Sequence, residues 1–355
     1  QSMRLQLYSD YEAMDHDPII AAALDIMSDE TTSRNEFGQV LNINSSDENI
    51  RKVLHNLFYD VLNIEFNLST WIRNMCKYGD FYLKLEVSEK FGVYNVIPLS
   101  VYEVVREEGT DPENPSYTRF TMDPNGLASG ATNTIRRDQF TLENYEVAHF
   151  RLLTDSNYLP YGRSFLEPSR KVFKQLMLME DAMLIHRIMR APEKRTFYIN
   201  VGAIPPEQVE QFMAETVNKM KKTPYIDQQT GDYNLKYNMQ NITEDFYIPV
   251  RGNDNSTKIE TTKGLDYDGT TDIEYLKSKM MAALKIPKPY LGYDEGVEGK
   301  STLAGMDVRF ARTVERIQRI VESELTKIAL VHLYSQGFTD EQLVDFSLEL
   351  TTPSI

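Results

Sequence analysis

Toward the end of the chain six apolar residues, Phe310, Val314, Ile317, Val321, Leu325 and Ile328, recur at intervals of three and four. That is the period of an α-helix, and it gathers all six on one face. The spacing predicts one helix over 307–336, with a core-facing stripe and a charged opposite side. Gly337 ends it, because a residue without a Cβ turns easily into the left-handed conformation past a helix end. After it, the tail 346–355 (FSLELTTPSI) begins a strand and breaks off.

Upstream, the period changes several times. Residues 18–29 read as a short helix with Pro18 in its first turn. Ser45 and Glu48 have capping-box spacing. Beyond them Ile50, Val53, Leu54, Leu57, Phe58, Val61 and Leu62 form the apolar face of a second helix. A third, about 65–78, carries Trp71, Ile72 and Met75 and stops at Gly79. The pattern then alternates in twos over 81–87, 93–98, 101–106, 117–122 and 145–152, which predicts a β meander. Residues 107–134, rich in Gly, Pro, Asn and Asp, read mostly as surface loop.

At Tyr161-Gly162-Arg163-Ser164 the character changes, and a helix is predicted over 166–190. Val172, Phe173, Leu176, Met177, Met179, Met183 and Leu184 make one broad stripe, while Ile185, Ile188 and Met189 add apolar surface on another side. A helix apolar on two faces is packed on two sides. Residues 192–265 are mixed: a strand at 196–202, a helix at 205–222 opened by two prolines, then polar, turn-rich sequence. A further helix is expected at 271–285, and Pro287 and Pro289 prevent its continuation.

Composition narrows the function classes. With 355 residues the chain has room for two or three domains. At 41% hydrophobic and 26% charged it can bury a core. Cys76 is the single cysteine, so neither an internal disulfide nor a thiolate zinc cluster can form. No apolar run approaches the roughly 20 residues of a membrane span. The net charge of −15 argues against a protein that grips nucleic acid by neutralising phosphates. The first residue is Gln, and the chain reads as a fragment or a processed form.

No catalytic motif is complete. Residues 294–302 end in Gly299-Lys300-Ser301 like a phosphate-binding P-loop, but the glycine needed five positions earlier is Asp294, and Asp294, Glu295 and Glu298 would crowd the phosphates. A flexible acidic loop is the plainer reading. Asp266, Asp268 and Asp272 suggest a calcium loop, yet Thr271 and Lys277 stand where an EF-hand needs Gly and Glu. His16, His55, His149, His186 and His332 lack metal-binding spacing, and neither Ser164 nor Ser301 sits in a nucleophile elbow. The reading is therefore not an enzyme, with no cofactor and no metal. Arg309, Arg312, Arg316 and Arg319 form a stripe on the last helix, for which phosphate contact is the functional reading and ion pairing within or between subunits, with Glu315 four residues before Arg319, is favoured in so acidic a protein. The methionines concentrate in the long helices, as adaptable core or subunit-interface packing.

Long blocks of the sequence resemble one family. Residues 57–86 (LFYDVLNIEFNLSTWIRNMCKYGDFYLKLE), 91–104 (FGVYNVIPLSVYEV) and 190–213 (RAPEKRTFYINVGAIPPEQVEQFM) look like the portal vertex protein of T-even-type tailed phages. The order of 161–176 (YGRSFLEPSRKVFKQL) and 286–293 (IPKPYLGY) also fits portal proteins generally. The resemblance runs from Arg4 to the end, and family members are longer at both ends. It implies an α+β portal fold with long stem helices, a mixed α/β wing and an inserted α/β clip. Carried over, 1–165 is wing, 166–190 the first stem helix, 191–268 the clip and 269–286 the second stem helix. Residues 287–306 are the tunnel loop, and 307–355 the wing return helix with the start of a truncated C-terminal part.

The resemblance implies a ring of twelve copies at one capsid vertex, assembled in the host cell, with double-stranded DNA passing non-specifically through its centre. It implies docking of the large terminase subunit and later of neck and head-completion proteins, contact with major capsid and scaffold proteins, and initiation of head assembly. The DNA-facing tunnel-loop residues are then Asp294, Glu295, Val297, Glu298 and Lys300. The docking residues of the clip are Glu207, Gln208, Glu210, Gln211, Glu215, Lys219 and Lys222. The subunit-interface residues of the stem are Leu176, Met179, Met183, Ile188 and Met280. Two other readings stay open: a nucleotide-binding protein using the 294–302 loop, and a monomeric virion structural or neck component.

Overall fold

The computed structural model describes residues 2–122, 140–189, 194–220, 246–251, 258–262, 270–292 and 300–352. They fall into two units, Gln1–Phe173 with Ser278–Ile355, and Lys174–Lys277.

The first unit is built around helices whose apolar faces the sequence announces. Helix α2 (Pro18–Thr31) starts where Asp17 accepts hydrogen bonds from the Ile19 and Ile20 amides at 2.9 and 3.1 Å, and it buries Ile20, Ala23, Leu24 and Met27. Helix α4 (Ile64–Tyr78) buries Ile64, Leu68, Trp71, Ile72, Met75 and Cys76 and ends at Gly79 (φ 87°). Between them α3 (Glu48–His55) runs into a π-helical turn, Asn56–Val61, closed by the Leu62 amide on the Leu57 carbonyl at 2.9 Å. The predicted capping box at Ser45 and Glu48 is not the cap. Asp47 caps the Asn49 amide at 2.8 Å, while the Ser45 hydroxyl donates to the Asp345 carbonyl at 2.7 Å.

An unpredicted helix, α1 (Ser2–Met14), buries Tyr8, Tyr11 and Met14. Just past it, Asp15 takes Arg73 at 2.8 Å and Lys77 at 2.9 Å, which fastens the end of α1 to α4. Burial alone would raise the Asp15 pKa; the two cations outweigh it and hold the carboxyl at about 2.

The alternating segments do form strands, but not one meander. Strands β2 (Asp80–Ser88), β3 (Gly92–Leu99) and β7 (Val147–Arg151) make an antiparallel sheet in the order β3-β2-β7. Strands β4 (Val104–Glu108), β5 (Thr118–Met122) and β6 (Phe140–Glu143) make a second. Alternation marks a strand without naming its partner, and β7 pairs with β2, Asp80 against Arg151 and Tyr82 against His149. The rings of Tyr82 and Phe120, one from each sheet, meet edge to face at 6.1 Å.

Helix α8 (Lys300–Ser335) lies along these layers, and all six residues of its stripe are buried. At 36 residues it is about 54 Å long. Gly337 (φ 86°) follows its end, as expected. After a short helix α9 (Asp340–Leu343), strand β11 (Ser347–Leu350) pairs with β1 (Leu41–Asn44), nearly the whole chain apart in sequence.

In the second unit β8 (Lys194–Asn200) is the central strand, antiparallel to β10 (Lys258–Thr262) and parallel to β9 (Phe246–Val250). A parallel pair needs a crossover, and helix α6 (Pro206–Met220) lies in that connection. The strand and helix predicted at 196–202 and 205–222 are both present; β9 and β10 arise in sequence read as polar and turn-rich. Helix α5 (Arg170–Met189) has residues 174–189 here, and α7 (Thr270–Ala283) has 270–277.

Candidate functional site

The stretch expected to be a tunnel loop is described at both ends. Helix α7 closes with the Leu284 amide on the Met280 carbonyl at 3.1 Å, and Lys285 turns left-handed (φ 56°). Pro287 and Pro289 then make a 3-10 turn, Lys288–Leu291, and Gly292 (φ 81°) ends it. The Tyr290 hydroxyl donates to Asp307 Oδ1 at 3.0 Å, and its ring meets Phe310 edge to face at 5.4 Å. Burial and Asp307 both push the Tyr290 pKa up. The turn before the acidic segment is thus tied to α8 just beyond it. Asp294, Glu295, Val297 and Glu298 lie outside the described residues. Lys300 is the first residue of α8, which therefore starts earlier than the apolar stripe predicts. The stripe begins only at Phe310, so periodicity cannot register the turns that precede it. A P-loop needs a buried strand ahead of its glycine-rich turn; a proline-containing 3-10 turn stands there instead. Of the calcium-loop triad, Asp266 and Asp268 lie outside the described residues, and Asp272 is in the first turn of α7.

The most concentrated polar chemistry sits where β2, β7 and the 161–164 segment meet. Asp80 and His149 are each 1% exposed. Asp80 Oδ1 lies 2.8 Å from His149 Nε2 and accepts the Gly162 amide at 2.8 Å; Oδ2 accepts the Tyr8 hydroxyl at 3.2 Å. On the other side of the ring, His149 Nδ1 lies 3.1 Å from Arg106 Nη1. A guanidinium only donates, so Nδ1 accepts, and the proton of a neutral imidazole is on Nε2, facing Asp80. Burial depresses the His149 pKa to about 4, outweighing Asp80, which raises it. Tyr82 stacks on the imidazole at 4.3 Å. Arg106 also reaches Glu108 at 2.7 Å, and its amide donates to the Tyr161 hydroxyl at 3.0 Å. The Arg4 guanidinium lies 3.8 Å over the Tyr161 ring and donates to the Val104 carbonyl at 2.9 Å. From α8, Lys327 donates to the Val147 carbonyl at 2.8 Å and Glu324 accepts the His149 amide at 3.3 Å.

An Asp–His pair invites a catalytic reading, but this one cannot act on a substrate. Both side chains are buried and both ring nitrogens are engaged. The Ser164 hydroxyl nearby donates to the Lys77 carbonyl at 2.6 Å and accepts the Leu166 amide at 3.0 Å. The hub is a clasp. It joins α1, β2, β4, β7, α8 and the 161–164 strap through hydrogen bonds that engage Asp80, His149, Arg106, Glu324 and Lys327, while Arg4 Nε and Nη1 and the Tyr82 hydroxyl find no partner among the described residues. Two glycines make it fit: a Cβ on Gly162 would sit 2.0 Å from the Gly79 carbonyl oxygen, and one on Gly79 would sit 2.6 Å from the Ser164 nitrogen. Sequence reasoning registered the change of character at Tyr161–Ser164 and took a lone histidine to be structural, but it did not find Asp80, Arg106 or Tyr8. Asp80 directly after a helix-stopping glycine and His149 inside an apolar strand were the available signals.

The remaining expected sites are dispersed. Glu207, Gln208, Glu210, Gln211 and Glu215 are exposed along α6. Lys219 is on the same helix with its side chain outside the described residues, as is Lys222 altogether. Of the stem residues, Leu176 and Met280 are buried within a single chain, Met179 and Met183 are half-buried, and Ile188 is exposed. Leu178, Leu184 and Ile185 share that exposure, at 70%, 53% and 58%. The arginines 309, 312, 316 and 319 are all exposed, and the spacing-predicted pair between Glu315 and Arg319 does not close. Solvation of both groups offsets the few tenths of a kcal/mol that such a pair contributes.

Comparisons with known proteins point one way. The sequence matches the family described as Bacteriophage T4-like portal protein (Gp20) over residues 4–354. The portal protein of Salmonella phage ViI is 24% identical over 375 residues, taking in 94% of this chain and 65% of that protein. The portal protein of Vibrio phage KVP40 is 29% identical over 185 residues, 50% of this chain and 36% of that protein. The chain thus spans under two thirds of the length of these relatives. Among solved structures, the fold is similar to a chain from the neck of an empty gene transfer agent particle computed with C6 symmetry (TM-score 0.58, 13% identity, 98% of this chain and 84% of that one). It is similar as well to a chain from the native particle's neck computed with C12 symmetry (TM-score 0.57, 11% identity, 96% and 81%). Portal proteins are structural components of the virions of tailed phages. On a match that runs almost from end to end, in an α+β fold shared with neck proteins, this chain belongs to the T4-like portal protein family.

Proposed function

We propose that the chain forms a dodecameric ring at one capsid vertex and acts as a passive conduit for double-stranded DNA during packaging and ejection. The family match over residues 4–354 carries this reading. The C12 symmetry of the neck that holds a protein of similar fold supports the number twelve. The exposed apolar positions Leu178, Leu184, Ile185 and Ile188 on α5 support side-by-side packing, since such a surface is stabilised by a neighbour. In this reading α5 and α7 are the stem, the rest of 191–268 is the clip, and 287–306 is the tunnel loop. Residues 1–165 and 307–355 belong to the wing. The exposed face of α6, with Glu207, Gln208, Glu210, Gln211 and Glu215, is where the large terminase subunit and later neck proteins dock. Major capsid and scaffold proteins contact the ring during head initiation. The chain supplies the gate, and a separate motor supplies the energy.

Charge gives the conduit its mechanism. At −15 per chain, twelve copies sum to about −180, a field that repels phosphates. A duplex that is repelled does not adhere, and low friction is what translocation requires. Asp294, Glu295 and Glu298 would line the narrowest point, with Lys300 damping sliding. Electron microscopy of the purified protein tests the reading: rings with a central hole are expected. A uniform population of monomers at high concentration would overturn it in favour of a monomeric neck component.

A further inference from the structure

Helix α8 presents a basic ridge that no described acidic residue of the same chain engages. At 100° per residue, Arg309, Arg312, Arg316 and Arg319 fall within about 80° of one another, opposite the buried stripe. They extend about 15 Å along the helix axis. All four are exposed, and none is in salt-bridge range of a described acidic residue. Most other described arginines of the same unit are paired with acids, among them Arg73 with Asp15 and Asp25, Arg106 with Glu108, Arg119 with Glu107, Arg163 with Asp155, and Arg170 with Asp10 and Glu167, while Arg4 and Arg51 donate instead to the Val104 and Ser45 carbonyls. Four guanidiniums in a row with no acidic partner among the described residues are unusual in a protein with 53 acidic residues against 38 basic ones.

We propose that this ridge is a contact between copies, taking carboxylates of the adjacent subunit. The proposal rests on the ring reading above and adds to it a defined electrostatic seam. Bringing together subunits of charge −15 is opposed by their mutual repulsion. A local run of opposite charge offsets that repulsion and fixes register where the copies meet. All four residues are arginine, whose planar fork matches a carboxylate in two parallel hydrogen bonds. Duplex phosphates are the other anion a basic ridge attracts. The acid surplus favours carboxylates: every neighbouring copy brings them, whereas a duplex must approach a net negative surface to reach the ridge.

The test is sedimentation velocity of wild type, R312E/R316E, R312Q/R316Q and R312K/R316K in NaCl from about 50 to 500 mM, over which the screening length shrinks from beyond 10 Å to a few ångströms. Wild type should assemble at low salt and loosen as salt rises. The Glu variant should assemble at least about tenfold more weakly at low salt, the Gln variant should fall between, and the Lys variant should retain most of the assembly. Melting curves should coincide, because the side chains are exposed; if the Glu variant unfolds, the Gln variant carries the comparison. Assembly of both the Glu and the Gln variants like wild type overturns the proposal while leaving the ring intact. So does a Glu variant that assembles normally but loses duplex binding, which would make the ridge a phosphate contact. A wild type that is monomeric at every salt concentration removes the ring reading itself, and the seam with it.

Discussion

His149 offers a quantitative handle on the clasp. The neutral imidazole donates to Asp80 through Nε2 and accepts from Arg106 through Nδ1. Burial holds its pKa at about 4 against an ordinary 6.5. Between those values the unfolded chain binds a proton that the folded chain refuses, so stability falls as pH falls through the window. The His149 contribution is fully present above about pH 6.5 and gone by about pH 4. Its size is about 3 kcal/mol, with a slope near 1.4 kcal/mol per pH unit. In His149→Gln, the side-chain amide can still donate to Asp80 and accept from Arg106 but does not titrate. The variant loses the stacking on Tyr82 and some hydrogen-bond geometry, about 1–2 kcal/mol at pH 7. Wild type should therefore be the more stable protein at pH 7, and the two curves should cross near pH 5. His332, whose Nδ1 accepts the Val93 amide at 3.0 Å and whose pKa burial likewise lowers to about 4, is present in both proteins and cancels. Urea unfolding at closely spaced pH values reads the difference, and urea also keeps the chain dissolved near its isoelectric point of about 4.9. A gap between the curves that stays constant from pH 7 to 4 would show that His149 titrates normally, and the argument for a neutral, doubly engaged ring would fail.

Three other perturbations address different parts of the molecule. Gly162→Ala forces a Cβ to within 2.0 Å of the Gly79 carbonyl oxygen; a loss of at least about 2 kcal/mol is expected in the urea midpoint, and an unchanged midpoint would refute the close approach. Val314→Asp places an unpaired carboxylate on the buried stripe of α8 and should cost about 3–5 kcal/mol, enough to remove soluble protein; normal yield with the wild-type melting curve would contradict the face assignment. Deleting 294–299 should leave the melting temperature within a degree or two of wild type, because Tyr290 and Asp307 tie the flanking turn to α8, while impairing DNA retention in assembled particles; a sharp fall in melting temperature would mark the segment as core.

Much of the helical skeleton was legible along the chain because its causes are local. The stripe of α8 and the apolar face of α4 follow from spacings of three and four, and Gly79 and Gly337 stop their helices because only a few residues of backbone are involved. The family, too, was readable from long blocks of sequence, and so was the acidic run at 294–298. Local patterns failed where distant groups compete. Ser45 has capping-box spacing, but Asp47 takes the cap and a carbonyl 300 residues away takes the Ser45 hydroxyl. Alternation revealed strands without revealing that β7 leaves its neighbours to pair with β2, since strand pairing is decided by long-range contacts. The contact of Tyr290 with Asp307 appears only when a turn folds back on α8, and the clasp around Asp80 and His149 only when six segments converge. A buried charge must find partners wherever the fold brings them, and no periodicity in the sequence encodes that meeting.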